Sequence, residues 1–181
     1  MDCGDNPHAT LTPMHVFLIA ALTADGFIAK TVDQTSTHWT SREDAVFFTK
    51  KTKEAGVIAM GRTTFQTIGR PLPERKTFVY TTRELLGFSP ELVETTQSSP
   101  AELVAKLETE GYTKFGICGG AQVYTQWMHS DLINTLYLTI EPVLFGTGIR
   151  LFTEEITTNI RLKERHLLSD QATVFEFEVT K

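Results

Sequence analysis

Cysteine is scarce in this chain: two in 181 residues, Cys3 and Cys118. Two thiols cannot build a disulfide framework, and neither has the Cys or His partners that a zinc site needs. A reducing cytoplasm is the expected location, with Cys118 a small apolar filler at a strand end. Positive charge is also in deficit: 17 Lys and Arg against 22 Asp and Glu leave a formal net charge of −5. Without a long basic run the chain offers no groove for nucleic acid and no patch for an acidic membrane. Any anionic ligand must be met by individually placed arginines. Long apolar runs are missing too, so no bilayer-spanning segment is expected. The acidic start, Met1-Asp2-Cys3-Gly4-Asp5, is followed by no signal-like apolar stretch. Internal repeats and low-complexity tracts are absent.

What is present suits one domain with a sizeable core, since 41% of the residues are apolar and 22% charged. Residues 1–13 are polar, contain Pro7 and Pro13, and read as a flexible leader to a domain over 14–181. Val16-Phe17-Leu18-Ile19-Ala20-Ala21-Leu22 is unbroken by polar residues, as in a central strand covered on both faces. Asp25-Gly26 turns the chain into a polar loop over 30–38. Thr40 or Ser41 caps a helix over 42–54, which Gly56 ends. Further strands are predicted at 57–60, 77–81, 114–118, 134–142 and 173–180, with a weaker one at 90–94. Helices are predicted at 62–68, from Ser98-Ser99-Pro100 to near Gly111, and at 121–128. Strands and helices alternate to about residue 130, and two long strands close the chain. This pattern predicts an α/β fold: a mostly parallel central sheet, an antiparallel C-terminal edge strand, and helices on both faces.

Four places carry candidate chemistry. Gly61-Arg62-Thr63-Thr64-Phe65 joins a buried strand to a helix start, where free N–H groups and an arginine suit a phosphate. Cys118-Gly119-Gly120-Ala121-Gln122-Val123-Tyr124 makes a second such turn. By itself a glycine pair is only a tight turn, but two phosphate-suited turns in one sheet fit a dinucleotide. Thr81-Thr82-Arg83 ends another strand and can hold a further phosphate or simply be solvated. Asp44 lies three residues after Ser41, a spacing that alone reads as a capping box. It also shares a helix face with Phe48 and Thr52. An acid and an aromatic on one face suit a flat, nitrogen-rich ring. Trp39 begins this helix and reads as core or as the mouth of a pocket; His38 reads as surface. Arg75, stiffly placed after Pro71-Leu72-Pro73, can receive a carboxylate or stand in solvent.

From Phe17 to about Tyr137 the sequence resembles the dihydrofolate reductases. The carrying motifs are Gly61-Arg62-x-Thr64-Phe65 and Ile68-Gly69-Arg70-Pro71-Leu72-Pro73-x-Arg75. Asp25-Gly26-Phe27-Ile28, Trp39, Gly119-Gly120 and Leu136-Tyr137-Leu138-Thr139 fall in the family's order. The resemblance implies NADPH as cofactor, held by Ala21, Ile28, Gly61, Arg62, Thr63, Thr64 and Thr81-Thr82-Arg83. Cys118, Gly119, Gly120, Ala121, Gln122, Val123 and Tyr124 would complete its site, the glycine pair usually being joined by a cis peptide. It implies a folate substrate contacted by Ile19, Ala21, Asp44, Phe48, Ile68, Arg75 and Thr139. Arg75 would take the glutamate carboxylate, while Asp44, Thr139 and Trp39 would form the catalytic group. The implied reaction is hydride transfer to the imine carbon of dihydrofolate, with a proton delivered by water and the 30–38 loop closing over the site. The implied protein is a monomer or a homodimer that uses no metal.

Departures are equally specific. The loop before Trp39 is long, His38 replaces the usual proline, and Ala29 stands where glycine is common. Glu141-Pro142-Val143-Leu144-Phe145-Gly146-Thr147-Gly148-Ile149-Arg150-Leu151-Phe152 is similar to a segment of the riboflavin-pathway reductase domain. That domain shares the fold and NADPH but reduces a ribosylaminopyrimidine. A domain that binds NADPH without turnover is the third alternative.

Overall fold

In the computed structural model, residues 13–180 are described except Leu86. The expected leader and Cys3 lie outside these residues, apart from Pro13. Ten strands are formed: β1 His15–Thr23, β2 Phe27–Ala29, β3 Val57–Gly61, β4 Lys76–Tyr80, β5 Val93–Thr96, β6 Lys114–Ile117, β7 Thr135–Glu141, β8 Ile149–Arg150, β9 Asn159–Leu167 and β10 Thr173–Thr180. Four α-helices accompany them: α1 Arg42–Ala55, α2 Arg62–Ile68, α3 Pro100–Thr109 and α4 Ala121–Met128. A 3₁₀ turn spans Ser36–His38.

Eight strands make one sheet in the order β5-β4-β3-β6-β1-β7-β10-β9. From β5 to β7 every pairing is parallel, whereas β10 and β9 are antiparallel. The apolar run of β1 puts it near the middle, and its side chains divide by parity. Val16, Leu18, Ala20 and Leu22 pack with Leu103 and Leu107 of α3 and with Val123, Tyr124, Trp127 and Met128 of α4. Phe17 and Ile19 face the other way, toward Ala55 of α1 and Phe65 of α2. β3 repeats the division, with Val57 and Ala59 on one side and Ile58 and Met60 on the other. Helices therefore cover both faces, and the predicted α/β class holds.

Three expectations are corrected. Three long strands close the chain rather than two, because β9 was not foreseen. All but one of its positions are exposed and it carries Arg161, Lys163, Glu164 and Arg165, so its apolar alternation stops after Ile160 and Leu162. Such charge suits a sheet edge. The weak strand expected at 90–94 forms instead at Val93–Thr96, where Thr77 pairs with Val93 and Tyr80 with Thr96. A two-stranded sheet of β2 and β8 also arises, too short to leave a pattern. It ties the atypical segment 142–152 to the base of the long loop. Asp25 strengthens the tie, accepting hydrogen bonds from the backbone N–H groups of Phe145 and Gly146. A side chain at Gly148 would strike the Ala29 carbonyl oxygen, which accounts for glycine there.

Candidate active site

At the carboxyl ends of β1, β3 and β6 lies a cavity of about 1080 Å³. Open α/β sheets place their ligands at such strand ends. The wall includes Ile19, Ala20 and Ala21 from β1, Gly61 from β3 and Cys118 after β6. Asp44, Ala45, Phe48 and Thr49 supply one side from α1.

Ser41 caps α1, its hydroxyl accepting the Asp44 N–H at 3.2 Å. The Asp44 side chain does not return to the cap. Its Oδ1 instead accepts a 2.6 Å hydrogen bond from the Thr139 hydroxyl on β7. Thr139 is itself buried and lies behind Asp44 rather than in the wall. Burial raises the Asp44 carboxyl above the usual carboxylate range; the Thr139 hydrogen bond opposes this and the nearby Glu141 charge adds to it. A buried acid with a specific partner at a cavity wall is a functional-site candidate.

Opposite the acid is a cradle of backbone. Gly61 N–H donates to the Gly119 carbonyl at 2.7 Å, joining the two strand-to-helix turns. The Gly119–Gly120 peptide is cis, and Gly119 holds φ +116°, which side chains rarely adopt. A Cβ on Gly120 would come within 3.2 Å of Thr64 Oγ1. Arg62 lines the cavity, and its Nε is buried without a hydrogen-bond partner. Thr63, Thr64 and the first residues of α4, Ala121, Gln122, Val123 and Tyr124, complete this wall. Helix starts leave N–H groups unpaired, so the cradle, the helix start and the unpartnered arginine together fit a diphosphate. Tyr124 is fixed by donating its hydroxyl to the Ile19 carbonyl at 2.7 Å. Burial pushes the Cys118 thiol up, consistent with an inert filler.

Ile28 and Ile68 also line the cavity, as expected. Several other candidates do not. Arg75 is 5% exposed and turned inward, with Nε donating to the Pro73 carbonyl and Nη1 to Thr52 Oγ1. Arg70, from the same motif, lines the cavity instead. Thr81-Thr82-Arg83 closes a turn on itself, the Arg83 N–H donating to Thr81 Oγ1, and the wall stops at Tyr80. Trp39 stands outside the wall between His38 and Thr40, which are in it. Its ring meets Phe145 edge-on at 5.2 Å and its buried N–H has no partner.

Some wall residues had no sequence signal. Tyr80 ends β4 with its hydroxyl buried and unpartnered, its pKa pushed up to about 12 by burial. Ile149 reaches the cavity from the atypical segment and Thr153 from just after it, and Thr31, Gln34 and Ser36 from the long loop. Gln126 of α4 lies one turn beyond the expected Gln122, a repeat that helical spacing could have found.

Comparison with known proteins places the chain in a family. The family model described as "Dihydrofolate reductase" matches residues 15–146. A dihydrofolate reductase of Bacillus subtilis (strain 168) is 33% identical over 124 residues, covering 68% of this chain and 67% of that one. Two solved structures share the fold. A pyrimidine reductase-like protein from Corynebacterium diphtheriae superposes with a TM-score of 0.75 at 16% identity, covering 93% of this chain and 92% of its own. Dihydrofolate reductase from Enterococcus faecalis, complexed with NADP(H) and RAB-propyl, gives 0.69 at 24% identity, covering 92% and 97%. The family model covers well over half of the chain and the Bacillus relative more than two thirds: the chain belongs to the dihydrofolate reductase family.

Proposed function

We propose that the protein reduces 7,8-dihydrofolate to tetrahydrofolate with NADPH. The observation that carries this reading is the Asp44 carboxylate, held by Thr139 and facing a cavity whose wall one turn further on is Phe48. A carboxylate can accept two parallel N–H bonds from an aminopyrimidine ring, and Phe48 can pack on the ring face. Ile19, Ala21 and Ile68 bound the same space with apolar surface.

NADPH fits the opposite wall. Arg62, Thr63, Thr64, Gly119, Gly120 and the start of α4 would hold its phosphates, with Ala21 and Ile28 beside the nicotinamide. Thr81-Thr82-Arg83 would meet its outermost phosphate at the cavity rim. When bound, the cofactor supplies the hydride. The chain's own part is position and field. Asp44 would raise the proton affinity of the pterin ring without touching the nitrogen that is protonated, and water would bring the proton. The 30–38 loop would exclude bulk water.

Two arginines are available for the glutamate tail, Arg70 in the wall and Arg75 behind Thr52. Separate alanine variants distinguish them. Replacement of the true anchor raises the dihydrofolate KM by roughly 10-fold or more, with little change in kcat.

A second reading, reduction of a ribosylaminopyrimidine, is favoured by Ile149 and Thr153. Ile149 brings the atypical segment into the cavity, and Thr153 follows directly after it. The test is NADPH oxidation by purified protein with dihydrofolate or with the phosphorylated ribosylaminopyrimidine. Dihydrofolate-dependent oxidation supports the folate reading. Turnover of the other substrate alone supports the second, and NADPH binding without turnover of either refutes both.

A further inference from the structure

Glu141, the last residue of β7, is 3% exposed. A buried carboxylate is costly unless its oxygens are satisfied. Glu141 Oε1 accepts from both the Ser41 N–H at 2.8 Å and the Ser41 hydroxyl at 2.7 Å. In a local capping box the first of these bonds would belong to the acid three residues after the serine, here Asp44. The chain shows that arrangement at α3, where Glu102 Oε2 accepts from the Ser99 N–H and hydroxyl, each at 2.8 Å. At α1 a residue 100 positions away has taken the place of the local acid.

Thr139 and Glu141 are two apart on β7, and therefore share one face of the strand. That face engages two residues of the α1 start: Thr139 donates to Asp44, and Glu141 accepts from Ser41. We propose that Glu141 is a positioning residue for Asp44: it completes the α1 cap in place of Asp44 and so leaves the Asp44 carboxylate to Thr139 and the cavity. The role of Asp44 in catalysis rests on the function proposed above. The assignment of Glu141 to the cap does not.

The same placement gives Glu141 an electrostatic effect. Its charge adds to burial in holding the Asp44 carboxyl above its ordinary range. Around Asp44, Thr139 faces it from β7 with a hydrogen bond, and Tyr124 of α4 is near enough for its own phenol to feel the Asp44 charge. Arg42 and Glu43, in the same helical turn, are exposed.

The test compares wild type, Glu141→Gln and Glu141→Ala, following the Asp44 carboxyl carbon by NMR across pH without ligand. Glutamine keeps the acceptor oxygen and the shape but removes the charge. Its Asp44 titration is expected to move to lower pH, and the acid-side limb of any pterin-reduction profile with it. Alanine leaves the Ser41 N–H without its partner. Asp44 then turns back to the cap, and KM for dihydrofolate rises roughly 10-fold, the equivalent of one lost hydrogen bond. Glutamine restores that KM. An Asp44 titration unchanged in Glu141→Gln overturns the electrostatic part, and KM equal in all three proteins overturns the positioning. Should wild type reduce no pterin, only the folate reading fails, and the Asp44 titrations still decide the positioning. Glu141→Ala should then titrate differently from Glu141→Gln, which loses the same charge but keeps the cap; equal titrations overturn the positioning.

Discussion

Helices α1 and α3 start from the same local recipe, a serine with an acid three residues later, and reach different ends. At α3 the recipe closes on itself. Ser99 and Glu102 exchange side-chain and backbone bonds, Pro100 sets the first turn, and the exposed cap does nothing beyond holding the helix. At α1 only half of it closes. Ser41 still accepts the Asp44 N–H, but the return bond goes to Glu141, and Asp44 binds Thr139 at the cavity wall. A capping acid is released for chemistry when a distant residue takes over its structural duty. Burial of the cap is what makes the difference: α3 begins in solvent, α1 against the end of β7.

The largest effect that sharpens this comparison is that of Asp44→Asn. Its kcat/KM for dihydrofolate near neutral pH should fall by about 10²–10⁴, the usual share of acid–base assistance, while Glu102→Gln leaves the rate unchanged. Stability should move the opposite way. Burial raises the Asp44 pKa on folding, so the folded state binds more proton than the unfolded state. Stability is then lost as pH rises from the ordinary carboxylate range through the folded pKa. Melting curves of wild type and Asp44→Asn should converge at low pH, with the variant more stable at neutral pH.

Thr139→Val is next. It removes the bond that favours the charged form of Asp44, so the Asp44 titration should shift to higher pH, opposite to Glu141→Gln. The rate with dihydrofolate should drop roughly 10-fold, as for one charge-assisted hydrogen bond. A shift in the same direction for both variants would break the account of the two β7 residues.

Smallest are the caps. Ser99→Ala and Ser41→Ala should each cost about 1 kcal/mol, or roughly 2–4 °C in Tm for a chain of this size. Only Ser41→Ala should also slow turnover. Equal kinetic effects would mean that the two starts do not differ in function.

Much of the frame was legible in the sequence because its signals are local. Unbroken apolar runs gave away β1 and β3, Ser41 and Gly56 bracketed α1, and Gly61 and Gly69 bracketed α2. The two glycine turns that meet at the cavity were legible for the same reason, since Gly61 and Gly119-Gly120 sit at strand ends. The unread parts depend on contacts between distant residues. β9 is exposed along almost its whole length, and its alternation ends after Ile160 and Leu162. Glu141 looked like the end of a strand, and its partner is 100 residues away. Arg75 was placed by a motif, yet its orientation is decided by Thr52 on another element. Tyr80 entered the cavity wall because β4 ends there, a fact of sheet register rather than of residue type.

The most direct measurement is dihydrofolate-dependent NADPH oxidation by wild type and Asp44→Asn across pH. Without the Asp44 charge the pterin must be protonated from solvent alone. The variant should therefore be slow at neutral pH and gain rate steadily as the solution is acidified, narrowing its gap to wild type. Equal rates for the two proteins at every pH would contradict the role of Asp44 and, with it, the meaning drawn from the two helix starts.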